Sequence, residues 1–276
     1  MLDRQTDRQT GYPSVDKPWM KYYNNKRSKA AIDINKSIFD FAYELNKDHL
    51  DEPGVNYYGT IISKGQFFEK SISYGRGLYS IGVRNTDVVS ILMPTMPDTY
   101  YLLYGCNYIG AIVNPIDIRT SVVLIKQYIN EAKSKFLFIH ELMASNKLIS
   151  DLLEGTTLER IVVMPSPIES ISGLKKYIGR CVLKFKDVSR NYSESVISYR
   201  DFLHICYHSE EKNIKSKRDP DELSVLMHTS GTTGSKPKTV MANDRNINFM
   251  AAQYMKSRMD LDRCMIVSVK SHALID

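Results

Sequence analysis

Leu223-Ser-Val-Leu-Met-His-Thr-Ser-Gly-Thr-Thr-Gly-Ser-Lys-Pro-Lys238 begins as an apolar run of strand length and ends in small, hydroxylated and basic residues. From His228 to Lys238 there are two glycines, five hydroxyl residues and two lysines. Backbone without Cβ can approach a phosphate closely, and successive free N–H groups form a concave anion site. Hydroxyls add donors and lysines add positive charge. The stretch therefore reads as a loop after a strand that wraps a nucleotide's phosphates. A solvated Gly/Ser/Thr linker has a similar composition. Here, however, an apolar strand leads in and a helix-like segment, 243–258, follows at once. The phosphate loop of the P-loop NTPases fails on spacing. It needs glycine, four residues, then Gly-Lys-Ser/Thr, whereas Gly231 is followed by Gly234 and Lys236 by Pro237.

Upstream of this stretch, strand-length apolar runs alternate with helical patterns. Ile38, Phe41, Ala42 and Leu45 recur at helical spacing over 37–49, and Pro53-Gly54 supplies turn chemistry after them. Residues 55–62 read as two short strands around Gly59, and Ser63 with Gln66 forms a capping-box pattern for a helix reaching about Ile81. Gly75 and Gly77 weaken that helix but let it pack closely. Runs at 88–93, 111–113, 136–139 and 161–164 read as strands. Helices are expected from Pro97, from Ser121 and over 141–153 between them. Residues 173–191 read as a surface excursion, 199–208 as a short helix and 209–221 as a charged loop. Strands and helices alternating at these lengths predict an α/β fold, with mainly parallel, layered β-sheet and helices on both faces.

Composition narrows the class. A chain of 276 residues with 43% apolar content can build a real core. The net charge of +6 is spread along the chain, which favours solubility over a nucleic-acid face. Cysteines 106, 181, 206 and 264 have no metal-like spacing, and Cys106 and Cys264 sit in apolar runs as small core residues. No signal peptide or bilayer-length apolar run is present, so a reducing, cytoplasmic location is expected. Asp3-Arg-Gln-Thr6 repeats directly as Asp7-Arg-Gln-Thr10, and residues 1–16 are expected to be a disordered or mis-assigned start. Pro18-Trp19-Met20-Lys21-Tyr22-Tyr23 reads as an aromatic strap packed on the body.

Thr229-Ser-Gly-Thr-Thr-Gly234, followed by Pro237-Lys238, resembles the phosphate-binding loop of the AMP-forming adenylating superfamily. That superfamily includes acyl-CoA synthetases, the adenylation domains of peptide synthetases and firefly-type luciferases. Tyr108-Ile-Gly-Ala-Ile-Val-Asn-Pro-Ile-Asp117 is similar to an early structural motif of the family, in the form closer to acyl-CoA synthetases. Cys264-Met-Ile-Val-Ser-Val-Lys-Ser-His272 resembles the strand that ends beside the carboxylate pocket, with His272 in the matching place. Val269-Lys270-Ser271 there replaces the usual Pro-Leu-Phe, and Asp244 stands where the family has a histidine. Thr239 stands where the family has glycine. A β-branched residue resists positive φ, so either the backbone is extended at Thr239 or the loop geometry is altered.

The resemblance implies an AMP-forming carboxylate–CoA ligase, with ATP, Mg²⁺ and coenzyme A as cofactor and co-substrates and a carboxylic acid as substrate. An amino acid is less expected as that substrate, because no motif places a pocket aspartate. It assigns phosphate contacts to Thr229, Ser230, Gly231, Thr232, Thr233 and Gly234, with Lys238 favoured as the phosphate-binding charge and Lys236 second. His272 is the candidate beside the carboxylate. Residues 17–276 are expected to form a partial N-terminal AMP-binding domain, without the family's later motifs and its C-terminal lid. The chain alone is then expected to be inactive and weakly stable, since exposing ~400 Å² of apolar core at ~25 cal/mol per Å² costs ~10 kcal/mol. That is comparable to the stability of a whole domain, roughly 5–15 kcal/mol. The alternative expectation is a non-catalytic nucleotide-binding or interaction module. Neither reading calls for a nucleic-acid partner or a membrane span.

Overall fold

Five of the helices begin at a serine whose side chain accepts a backbone N–H of the first turn, the arrangement that satisfies donors with no partner inside the helix. Ser37 caps α2 (Ile38–Asn46), Ser63 caps α3 (Lys64–Ser80) and Ser121 caps α5 (Val122–Glu131). Ser145 caps α6 (Asn146–Gly155) and Ser198 caps α7 (Tyr199–His208). At Ser63 the capping box expected from the sequence is complete, with Gln66 Oε1 accepting from Ser63 N at 3.0 Å. The computed structural model describes residues 11–16, 18, 32–166, 195–211, 213–229 and 238–257. The other helices are the one-turn α1 (Pro13–Asp16), α4 (Pro97–Ile109) and α8 (Asp244–Ser257).

Strands β1 (Pro53–Tyr57) and β2 (Thr60–Ser63) form a hairpin. Its two-residue turn places Tyr58 at φ 49° and Gly59 at φ 92°, the paired positive φ of a type I′ turn. The main sheet contains β3 (Val88–Leu92), β4 (Ile112–Pro115), β5 (Phe136–His140) and β6 (Arg160–Met164). It is extended by β7 (Val196–Ser198), β8 (Leu223–His228) and β9 (Thr239–Asn243). The strand order is β7-β6-β5-β3-β4-β8-β9, parallel throughout except for the β8–β9 pair. The α/β, mainly parallel fold read from the sequence is the fold observed.

Side-chain alternation along the strands divides the core between the two faces. Phe136 and Phe138 join Val89, Ile91 and Val162 in a cluster with α2, α3, α4 and α7. Leu137 and Ile139 join Leu92, Ile161 and Val163 in a cluster with α5 and α6. Helices therefore cover both faces, as near-continuous apolar parallel strands require. Glycines let α3 and α4 approach: a Cβ on Gly105 would lie 2.9 Å from both Gly75 N and Ser71 O. One on Gly77 would lie 2.2 Å from Cys206 Sγ. The expectation that α3's glycines serve packing is met. Cys106 and Cys206 are both buried, and burial pushes both thiols well above their usual range.

Three local expectations are corrected. Pro53-Gly54 opens β1 rather than forming a turn, which proline tolerates as the first residue of a strand. The helix expected over 141–153 starts only at Asn146. Residues 141–145 instead turn back across the sheet edge, where Glu141 N donates to Met164 O and Glu141 Oε1 accepts from Ser166 N. The helix expected over 243–258 is found at Asp244–Ser257, but it does not follow the loop at once, because β9 intervenes and pairs with β8 from Leu223↔Asn243 to His228↔Thr239. This strand has no neighbour on its outer side among the described residues, and Val240 and Met241 are exposed on it. The aromatic strap at 18–23, apart from Pro18, and the excursion at 173–191 lie outside the described residues.

Candidate functional site

The loop that opens the sequence reading leaves the carboxyl end of β8 and returns as β9, so its two ends are neighbouring, antiparallel strand termini. Thr229 N donates to Lys238 O at 2.9 Å, and Lys238 N donates to Thr229 Oγ1 at 3.1 Å. These bonds pinch the loop into a closed neck. Thr239 lies in β9 with extended backbone, which settles the alternative left open by its β-branched side chain. Of the residues assigned to phosphate, Thr229 and Lys238 are brought together at the neck, both exposed. Ser230, Gly231, Thr232, Thr233, Gly234 and Lys236 lie outside the described residues, as does His272.

Beside the neck lies a groove of about 700 Å³, lined among others by Pro115, Asp117, Arg119, Tyr128, His228 and Thr229. It sits at the carboxyl ends of β4 and β8, where parallel α/β sheets offer ligand crevices. Arg119 reaches Asp117 with Nε at 3.0 Å and Nη2 at 2.6 Å, and this guanidinium holds the Asp117 carboxyl below the usual carboxylate range. A second groove of about 630 Å³ lies between α3, α7 and the start of α4. The buried Asp98 carboxylate there accepts from the Tyr74 and Tyr199 hydroxyls.

The wall of the first groove contains a histidine that the sequence reading passed over as the loop's first residue. His228 stacks on Tyr128 with ring centroids 3.7 Å apart and planes 8° apart. Its Nε2 is 2.7 Å from Asn114 Oδ1, and its Nδ1 is 3.1 Å from Thr239 Oγ1. Asn114 Nδ2 donates to Ser90 Oγ at 2.9 Å, which leaves Oδ1 to face the imidazole. The proton therefore sits on Nε2, and Nδ1 accepts from the threonine hydroxyl. Burial lowers the His228 pKa, with the Glu131 carboxylate opposing, so the neutral ring is favoured.

A second buried network anchors the other end of β8. Asn107 Nδ2 donates to Asp244 Oδ1 at 2.8 Å and lies 3.3 Å from Ser224 Oγ, while Asn107 Oδ1 accepts from Phe39 N at 2.8 Å. Arg218 Nε is 3.4 Å from Asp244 Oδ2, with both side chains almost fully buried. Arg218 also donates to Leu223 O and Glu222 O. Asp244, in the place of the family's histidine, is thus a hub of the core and not a groove residue.

A parallel sheet wrapped by helices, with a Gly/Ser/Thr loop at the carboxyl end of one strand, defines an α/β protein of nucleotide-binding design. Residues 43–274 match the family model described as AMP-binding enzyme, and the chain belongs to that family. It is 28% identical over 204 residues to a 2-methylpropanoate–CoA ligase of Humulus lupulus, covering 72% of this chain and 33% of that protein. Against a long-chain-fatty-acid–CoA ligase of Escherichia coli it is 22% identical over 242 residues, covering 84% of this chain and 41% of the relative. The solved anthranilate CoA ligase AuaEII, in complex with anthranoyl-AMP, shares the fold with a TM-score of 0.61 at 16% identity. That likeness covers 82% of this chain and 38% of the other. The chain spans between a third and about two fifths of the length of these proteins.

Among the described residues, no helix is long and apolar enough to cross a membrane. Among the same residues, no three His, Cys, Asp or Glu side chains gather to hold a metal ion.

Proposed function

We propose that this chain supplies the phosphate-binding part of an AMP-forming carboxylate–CoA ligase. In that reaction a carboxylate oxygen attacks the α-phosphorus of ATP, the bond to the pyrophosphate oxygen breaks, and an acyl-adenylate forms. The thiolate of coenzyme A then attacks the acyl carbon and AMP leaves. Both partners of the first step are anions, so the protein must offset their repulsion and hold them in line. Positioning of this kind lowers a barrier by roughly 7–11 kcal/mol, and each preorganised donor contributes roughly 2.7–4 kcal/mol. Residues 229–234 would hold the β- and γ-phosphates through N–H and hydroxyl groups, with Lys238 and then Lys236 as the charges.

The observation that carries this reading is the neck. The two ends of a segment rich in donors are tied together by Thr229 and Lys238 beside a groove, at the carboxyl end of a parallel strand. The test has two arms, run by calorimetry and by isotope exchange. The 276-residue chain is expected to bind inorganic pyrophosphate and MgATP, and Lys238→Ala to weaken both by about tenfold, the loss of one charge-assisted contact. Carboxylate-dependent ATP–pyrophosphate exchange is expected only when the remaining length of the relatives is also present. Exchange by the 276-residue chain alone would overturn that second expectation, and no pyrophosphate binding would overturn the first. Binding that never leads to exchange, even in a longer protein, would favour the non-catalytic module.

A further inference from the structure

We infer that His228 and Thr239 form a positioning pair that sets the phosphate loop's neck, with Thr239 taking on a role that the family's glycine cannot perform. The inference rests on the phosphate-loop reading above, but its observations are independent of that reading. Three contacts hold the imidazole, and a fourth acts through one of them. Tyr128 stacks on its face, Asn114 Oδ1 accepts from Nε2, and Thr239 Oγ1 donates to Nδ1. The fourth is one step removed: Ser90 Oγ receives the Asn114 amide and so fixes which end of it meets the ring.

The geometry makes His228 a bridge between strands as well as a wall. It belongs to β8, the strand that enters the loop. Asn114 belongs to β4 on one side, and Thr239 belongs to β9, which leaves the loop, on the other. The side-chain bridge therefore runs across three adjacent strands at the carboxyl edge of the sheet. The backbone bonds between Thr229 and Lys238 lie one residue further out. Glycine at position 239 would take away the hydroxyl that faces Nδ1 and, among the described residues, the side chain that ties the outgoing strand to the ring. Threonine also favours the extended conformation that β9 requires. The departure from the family's pattern is thus matched by the histidine opposite it.

The experiment compares wild type, Thr239→Val and Thr239→Ser in the full 276-residue chain. Valine keeps the β-branched shape and removes the hydroxyl, whereas serine keeps the hydroxyl. Two quantities are read: the ¹⁵N signals of the His228 ring nitrogens, which report the tautomer, and the affinity for inorganic pyrophosphate. Wild type is expected to show a protonated Nε2 and an unprotonated, hydrogen-bonded Nδ1. Thr239→Val is expected to shift the Nδ1 signal and to weaken pyrophosphate binding by about three- to tenfold, the effect of one net hydrogen bond. Thr239→Ser is expected to restore both. Unchanged ring signals in Thr239→Val overturn the inference, as does a shifted ring with unchanged affinity. If wild type binds no pyrophosphate, the phosphate-loop reading itself falls and the inference with it. If the valine variant does not fold, serine against glycine at position 239 gives the same comparison, and equal affinity in those two overturns the pair.

Discussion

Strand β8 is gripped at both ends by polar side chains, in contrasting ways. At its start, Ser224 touches a buried hub in which Asn107 and the ionic pair Arg218–Asp244 bind α4, α8 and the segment before β8. At its end, His228 joins Asn114 and Thr239 in a chain of neutral hydrogen bonds. The first network is charged and enclosed, and it leaves Arg218 Nε, Arg218 Nη1 and Asp244 Oδ2 without a well-aligned hydrogen bond. Burial raises the Asp244 pKa even though Asn107, Ser224 and Arg218 all lower it. The second network is half-open to a groove, and both ring nitrogens of its histidine are satisfied. A buried charge costs several kcal/mol to desolvate, so the first arrangement persists only as a complete set. The second has little electrostatic energy to lose and is suited to fixing geometry beside a ligand. One strand thus separates architecture from positioning by the kind of polar group placed at each end.

Removing one member of the charged hub gives the largest expected effect. Asp244→Ala leaves Arg218 buried and unpaired and should cost about 3–5 kcal/mol of unfolding free energy, measured by denaturant titration. Replacing the pair together, as Arg218→Met with Asp244→Leu, should cost clearly less than the single change, since no charge is then stranded. If the double variant is the weaker protein, the contrast drawn between the two networks is wrong.

His140, buried at the end of β5 outside both networks, gives a check by pH. Burial lowers its pKa to about 4. The unfolded chain therefore binds this proton more readily than the folded one. The stability held above the ordinary histidine range is lost as pH falls from about 6.5 toward 4, by on the order of 3 kcal/mol. His140→Asn should flatten that part of the stability curve. An unaltered curve would show that another group controls the acid limb.

Asn114→Ala is the smallest change and the most telling. It strands the imidazole Nε2–H and should cost about 1–3 kcal/mol, while also weakening pyrophosphate binding. Asp244→Ala, studied under conditions where it is folded, should leave that binding within about twofold, because Asp244 reaches no part of the groove. Equal binding losses in the two variants would erase the distinction between them.

Much of this was legible from local sequence. Serine caps, the Ser63–Gln66 box, the strand-length runs and the helix at 199–208 all depend on residues within a few positions of one another. The loop's composition, with its glycines, hydroxyls and lysines, was legible for the same reason. What was hidden depends on distance along the chain. Thr239-Val-Met-Ala-Asn243 carried no strand assignment in the sequence, although the helix after it was legible, and only pairing with β8 reveals the strand. The late start of α6 reflects the pull of Ser166 and Met164 on Glu141, a contact across more than twenty positions. His228 and Asn114 meet across 114 positions. A histidine before a glycine-rich loop carries no local sign of what it will touch, and Asp244 looked like a lost functional residue when it is a rooted structural one.

The outer edge of β9 carries a consequence of its own. Met241 is 72% exposed and Val240 45%, on a strand with no partner on that side among the described residues. Phe249 and Met250 on α8 add further exposed apolar surface. Such an edge is a template for another extended segment, from the same chain or a different one. The strand whose first residue meets the His228 ring is therefore also an adhesive margin among the described residues. The register of the strand beside the groove and colloidal behaviour in concentrated solution are thus expected to depend on the same five residues.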